Sequence, residues 1–110
     1  MALIALSLPI LPGKKAKWQE MADEIAAGPM KARLDASRKA AGIHERTFIQ
    51  ETPHGDFVIV TLEGDDPLTA FGGMMADPSM ADFAAWAADV HGMDPDAPPP
   101  SPRLIYDSKA

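Results

Sequence analysis

The chain has 110 residues, 46% of them apolar and 24% charged, which suits a single domain with one hydrophobic core. Its formal net charge is −6, without a stretch rich in Lys and Arg, which argues against a nucleic-acid partner. It contains no cysteine, which excludes disulfides, thiolate metal sites and cysteine nucleophiles.

The first segment, residues 2–8 (ALIALSL), predicts a strand that is buried on both faces. The apolar run around it lacks a basic start and soon meets Pro9, Pro12 and Gly13, so we expect neither a signal peptide nor a membrane span. We therefore expect a soluble, cytoplasmic protein in which residues 1–110 form a single domain, with no membrane partner.

A helical region follows, up to Gly42. Its apolar residues recur at the i, i+3, i+4, i+7 spacing of an amphipathic helix, namely Trp18, Met21, Ala22 and Ile25. Gly28 and Pro29 interrupt this spacing, and proline is tolerated at the first position of a helix. We therefore expect a kink or a break at this point and a second helical segment after it.

Two alternating runs on either side of TPHGD (residues 52–56) predict a β-hairpin over residues 44–64. We expect a turn centred on His54 and Gly55. That turn sets three cross-strand pairs: Gln50 with Ile59, Phe48 with Thr61, and Arg46 with Glu63. One face of the hairpin should hold the helices, through Ile43, Thr47, Ile49, Val58, Val60 and Leu62.

Residues 66–92 predict a helix that GGMMADPS (residues 72–79) divides, with Asp77 or Ser79 capping the later piece. MDPDAPPPSP (residues 93–102) predicts an extended connector, and RLIYDS (residues 103–108) a last strand. The order β-α-β-β-α-β predicts an α+β, ferredoxin-like fold with an antiparallel four-stranded sheet and the helices on one face. The first and third strands are the most apolar, so we expect them at the centre of the sheet.

The other face of the hairpin mixes apolar and polar side chains and should be left uncovered by the helices. It would carry His44, Arg46, Phe48, Gln50, Phe57, Ile59, Thr61 and Glu63. Exposed apolar patches usually mark an interface or a binding cavity. A two-fold homodimer that packs two such faces together would cover the patch.

Two stretches of the chain resemble the dimeric α+β-barrel superfamily, in particular an uncharacterised branch of unknown function. They are LPGKKAKWQEM at the start of the first helix, and GIHERTFIQETPHGDFVIVTLEGDDP, the hairpin with the entry to the next helix. The resemblance extends over nearly the whole chain in element order. It implies a homodimer whose two sheets close a barrel, with a small-molecule cavity between sheet and helices.

Relatives in that superfamily include cofactor-independent quinone-forming monooxygenases, haem-degrading enzymes and lactone isomerases. The first two often use an asparagine together with a tryptophan, and haem degradation adds a helix histidine. This chain has Trp86 and His91 in its last predicted helix but no asparagine, which argues against both activities.

Three residues of the uncovered face form the sharpest candidate catalytic group. His44 would act as acid or base, Arg46 would hold a carboxylate or oxyanion, and Glu63 would orient the arginine. The alternative is a cross-strand Arg–Glu pair beside a solvated histidine. Candidate substrate-binding residues are Phe48, Gln50, Thr61, Trp86 and Tyr106.

Two functions remain open. The chain could be a small enzyme, without a metal or another cofactor, that acts on a hydrophobic, oxygen-bearing molecule in the cavity. It could instead be a non-catalytic ligand-binding or structural dimer that uses the same residues as lining. A buried His44 would favour the enzyme, and an exposed one the second reading.

Overall fold

The computed structural model describes residues 1–94, 97 and 102–109. The described elements are β1 (Ala2–Pro9), α1 (Lys15–Ala27), α2 (Pro29–Ala41), β2 (His44–Thr52), β3 (Gly55–Gly64), α3 (Pro67–Ala76), a 3₁₀ turn (Pro78–Met80) and α4 (Ala81–His91). The prediction of an α+β fold with an antiparallel sheet is confirmed. Within the described residues, however, the sheet has three strands in the order β1-β3-β2, and not four.

The predicted fourth strand, residues 103–108, is not part of the sheet. Residues 102–107 adopt no regular structure, and the side chains of Leu104, Ile105 and Tyr106 are 77%, 78% and 77% exposed. As a consequence β1, which we expected at the centre, lies at an edge. A short β-forming pattern does not make a strand without a partner to pair with, so local sequence alone could not decide this point. Most of the predicted connector, residues 93–102, lies outside the described residues.

The helical region is divided at Gly28, as predicted. This residue has an extended backbone (φ −106°, ψ −169°) between α1 and α2, and Pro29 opens α2. Helix α2 ends at Gly42, whose positive φ of 69° lets its N–H turn back to the carbonyls of Arg38 and Lys39. Glycine and proline therefore set the helix boundaries that their positions in the sequence indicate.

The hairpin forms, but its register differs by two residues from the predicted one. The turn is centred on Pro53 and His54, and Thr52 pairs with Gly55. The Thr52 hydroxyl fastens this turn, because it accepts from the N–H of His54 and donates to the carbonyl of Gly55. Proline and glycine at the second and fourth turn positions are typical of such a turn.

The corrected cross-strand pairs are Gln50 with Phe57, Phe48 with Ile59, Arg46 with Thr61, and His44 with Glu63. Successive side chains on a strand alternate between faces, so a shift of two residues leaves every side chain on its predicted face. The predicted division into a helix-packing face and an open face therefore holds.

The core lies between the sheet and the helices. Leu62 and Val90 are fully buried, in the central strand and in α4. The same cluster includes Leu6, Trp18, Ile43, Val58, Val60, Phe71 and Met74. On the opposite side of the sheet Leu3 is 62% exposed and Phe48 is 52% exposed, so this side is an open face with apolar side chains. None of the described helices has the length and apolar character needed to cross a membrane.

Candidate functional site

The three candidate catalytic residues lie close together on the open face. The Nδ1 atom of His44 is 3.9 Å from Oε1 of Glu63, and Nη1 of Arg46 is 4.0 Å from the same oxygen. These distances exceed those of a hydrogen bond. The side chains of His44 and Arg46 are 56% and 52% exposed. In the single chain the group is therefore a solvated ion-pair cluster, which contributes little to stability.

The candidate substrate-binding residues do not form one site. Phe48, Gln50 and Thr61 share the open face with the catalytic group. Trp86 lies on the other side of the sheet, in α4. Tyr106 is exposed outside the regular elements. The structure thus divides the predicted site between two sides of the sheet and the chain terminus.

A cavity of about 660 Å³ lies between the sheet and the helices. Its volume falls within the range of about 300–1,000 Å³ that small-molecule sites occupy. The lining is mostly apolar and comes from all four described helices and all three strands: Leu8, Trp18, Ala22, Ile25, Leu34, Ile49, Val58, Val60, Phe71, Met75, Phe83, Trp86 and Ala87. His44 and Phe48, which belong to the edge strand β2, also border it.

An ion pair forms the polar part of the cavity wall. The Nε atom of Arg38, in the last turn of α2, donates to Oε1 of Glu45 on β2 at 2.8 Å. Only 12% and 18% of the two side chains is exposed. The second carboxylate oxygen of Glu45 accepts from the hydroxyl of Thr47 at 3.2 Å. The Glu45 carboxylate therefore accepts from both Arg38 and Thr47, and its bond to Arg38 restricts the position of the guanidinium.

The guanidinium of Arg38 keeps donors that the fold does not use. Nη1 donates to the hydroxyl of Ser37 at 3.1 Å, and the Cζ atom lies 5.9 Å from the ring centre of Phe83. Within the described part of the chain, Nη2 has no acceptor. In the same part of the chain, every fully buried side-chain nitrogen or oxygen has a hydrogen-bond partner. Because Nη2 has none, it is not fully buried. Arg38 borders the cavity, so Nη2 is an unused donor of a cavity-lining side chain.

His91 borders the cavity from the end of α4. It is 6% exposed, and its Nδ1 atom lies 2.8 Å from the carbonyl oxygen of Pro9. A carbonyl only accepts, so Nδ1 carries the proton, and the Nε2 atom of the neutral ring is an acceptor. Burial lowers the pKa of His91 below its usual 6.5, and the hydrogen bond to Pro9 only partly opposes this effect. The ring is therefore neutral at neutral pH.

The two tryptophans both border the cavity. Trp18 is buried in the core cluster, and Trp86 is half-buried. The ring of Trp86 stacks obliquely on Phe83 at 5.3 Å and meets the edge of His91 at 5.7 Å. Aromatic contacts of this kind hold both rings in place. Trp86, predicted as a substrate-binding residue, thus packs against its neighbours and faces the cavity at once.

Three polar residues of the cavity were missed by the sequence analysis: Arg38, Glu45 and Thr47. Arg38 lies close to the predicted helix end at Gly42, where a cation is expected for the helix dipole alone. Glu45 offered a usable signal, because a carboxylate on the strand face that packs against helices needs a buried partner. The last turn of the adjoining helix holds two cations, Arg38 and Lys39, and Arg38 is the one that provides it.

No group of three or more His, Asp or Glu side chains in the described parts of the chain could hold a metal ion. No protein-family model matches the chain, and no curated protein matches it either. The resemblance to the dimeric α+β-barrel superfamily therefore rests on residues and element order alone.

Proposed function

We propose that the protein binds a small, mostly apolar molecule bearing a carboxylate or a similar oxygen acceptor in the cavity between the sheet and the helices. The apolar part would lie among Trp18, Trp86 and the branched side chains. The oxygen acceptor would bind Nη2 of Arg38. One observation carries this proposal: a poorly exposed arginine with an unused donor, Nη2, on the wall of a mostly apolar cavity.

The charge of Arg38 gives the cavity its selectivity. Nη2 belongs to a charged guanidinium, and hydrogen bonds that involve a charged partner are about twice as strong as neutral ones. Glu45 already neutralises this arginine, so a bound anion would share the guanidinium with it. This arrangement favours a ligand with one acidic or strongly polar end over a dianion, because a second charge would remain unpaired in an apolar site.

Binding without catalysis agrees best with the single chain, because the proposed catalytic group His44, Arg46 and Glu63 is exposed. An enzyme remains our second candidate because His44 and His91 both border the cavity. The neutral ring of His91, with an acceptor nitrogen at Nε2, has the form required of a general base.

We also propose that the protein is a homodimer that pairs through the open faces of its sheets. Leu3 and Phe48 there are more than half exposed, and Phe57 and Ile59 extend the same patch. A two-fold contact would remove this apolar area from water and would enclose His44, Arg46 and Glu63 between two chains.

Tryptophan fluorescence tests the cavity proposal, because both tryptophans of the chain border the cavity. The probe is 2-naphthoate, which absorbs in the range of tryptophan emission, and the matched neutral probe is 2-naphthamide. We expect 2-naphthoate to quench the fluorescence at saturable, lower concentrations than the amide. Arg38→Lys keeps the charge beside Glu45 but removes the Nη2 donor, and should weaken binding by about tenfold, or about 1.4 kcal/mol.

The control is Arg46→Lys, which changes an arginine on the opposite face of the sheet and should leave the titration unchanged. Equal affinity for the acid and the amide would contradict the role of Arg38. Weaker binding in Arg46→Lys but not in Arg38→Lys would move the site to the open face.

A further inference from the structure

The two edges of the sheet differ sharply in their chemistry. The β2 edge, His44–Thr52, carries Glu45, Arg46 and Glu51 and is thus protected by charge. The β1 edge, Ala2–Pro9, has no charged side chain along its whole length. Natural edge strands are usually blunted with charges, prolines or bulges, because their free N–H and C=O groups pair readily with other chains. Only Pro9, at the end of β1, serves in this way.

A second unsatisfied feature lies at the other end of the chain. Residues 103–108 (RLIYDS) contain three consecutive large apolar side chains, all more than three-quarters exposed. Residues 102–107 adopt no regular structure. Residues 103–108 are thus an apolar, β-forming segment without a strand partner, and the β1 edge is an uncharged strand without a neighbour on one side.

We propose that residues 103–108 of one chain pair with the β1 edge of a second copy of the chain, as a fourth strand added between molecules. This inference rests on the proposed homodimer and says how its two chains are held together. The exchange is reciprocal under two-fold symmetry, so both chains of the dimer complete a four-stranded sheet.

The position of α4 favours pairing of residues 103–108 with a second copy of the chain over pairing with the β1 edge of their own chain. The end of α4 touches the end of β1, because His91 bonds to the carbonyl of Pro9 and the N–H of Leu11 donates to the carbonyl of Val90 at 2.9 Å. A strand returning beside β1 in the same chain would therefore need only a short connection, typically about 2–6 residues. Residues 92–102 number eleven, and five of them are prolines, which disfavour a tight return.

Alternation along the added strand also suits both sides of the sheet. Leu104 and Tyr106 fall on one face and Ile105 on the other. On β1, Leu3 and Ala5 face the open side, and Ile4 and Leu6 face the helices. The added strand thus has apolar side chains for both sides. On the open side it extends the same apolar patch that the dimer would cover.

Engineered disulfides test this pairing cleanly because the chain contains no cysteine. One chain carries Ala5→Cys on β1. A second chain, lengthened by an affinity tag, carries Leu104→Cys, Ile105→Cys or Tyr106→Cys in turn. Cysteines on neighbouring strands fall within about 4.4–6.8 Å between Cα atoms, as a disulfide requires. The matched control replaces Ala5→Cys with Gln50→Cys, which lies on the open face of the charged β2 edge.

We expect mild oxidation to form a heterodimer of tagged and untagged chains with Ala5→Cys and none with Gln50→Cys. Crosslinking to Gln50→Cys, or no crosslinking, would overturn the proposal. So would an intrachain disulfide in a diluted chain that carries Ala5→Cys together with Ile105→Cys. Sedimentation of the unmodified chain separates the two proposals: a monomer would overturn both, whereas a dimer without the crosslink would overturn only the strand exchange.

Discussion

At the scale of single residues, His91 links the fold to the cavity. Its Nδ1–H group donates to Pro9, its ring edge contacts Trp86, and its burial lowers its pKa. The sequence placed this histidine near the end of the last predicted helix. It bonds to a carbonyl of β1, a contact across 82 positions that no local pattern reveals.

The lowered pKa of His91 predicts that acid destabilises the protein. The unfolded chain takes up a proton as the pH falls through about 6.5, whereas the folded ring resists until a lower pH, so the free energy of unfolding falls in that window. Urea unfolding of the wild type at about pH 7.5 and 5.5 should show this loss, and His91→Gln should show less of it.

His54 provides the control, because it is an exposed turn histidine in the same chain. His54→Gln should keep the wild-type difference between the two pH values. If the His91→Gln and wild-type proteins lose equal stability on acidification, the pKa of His91 is not lowered in the folded state.

At the scale of elements, the sequence predicted what alternation and backbone chemistry determine. It located the break at Gly28, the end of α2 at Gly42 and the two faces of the hairpin. The hairpin register escaped prediction because the turn depends on hydrogen bonds of the Thr52 hydroxyl. The sequence wrongly predicted a last strand at residues 103–108, because strand pairing is a long-range property.

The end of β3 illustrates a constraint on a single glycine. A Cβ atom on Gly64 would lie 2.7 Å from Cδ1 of Ile43 and 2.9 Å from the carbonyl oxygen of Gly42. The backbone carbonyl cannot move without disturbing the cap of α2. Gly64→Ala should therefore lower the free energy of unfolding by about 1–3 kcal/mol in urea denaturation.

Gly72 is the matched control, because it lies within α3 and a Cβ atom there would meet nothing within 4 Å. Alanine favours helix over glycine, so Gly72→Ala should raise the free energy of unfolding by about 0.5–1 kcal/mol. Changes of the same sign in the two variants would contradict this account of the hairpin end.

At the scale of the whole molecule, the two sides of the sheet differ in what they contact. The helix side holds the core and the cavity, and the open side carries the apolar patch and the His44, Arg46 and Glu63 group. The sequence separated these faces correctly. It assigned the candidate ligand contacts mainly to the open face, because Arg38 and Glu45 meet only when α2 packs beside β2.

The homodimer predicts a specific effect of a charge placed on the open face. Phe48→Asp should convert the dimer into monomers in sedimentation-velocity measurements, because it places a charge in an apolar contact. Leu68→Asp is the control: Leu68 is a comparably exposed apolar residue on α3, away from the open face. Dissociation by Leu68→Asp alone would place the interface on the helices.

Intermolecular nuclear Overhauser effects between bound 2-naphthoate and methyl groups of the protein show whether the ligand binds in the cavity between the sheet and the helices. We predict contacts from the naphthyl protons to Leu8, Ile25 and Val60, which line the cavity. Contacts to Leu3 and Ile59, on the open face, would contradict the account and place the ligand on the other side of the sheet.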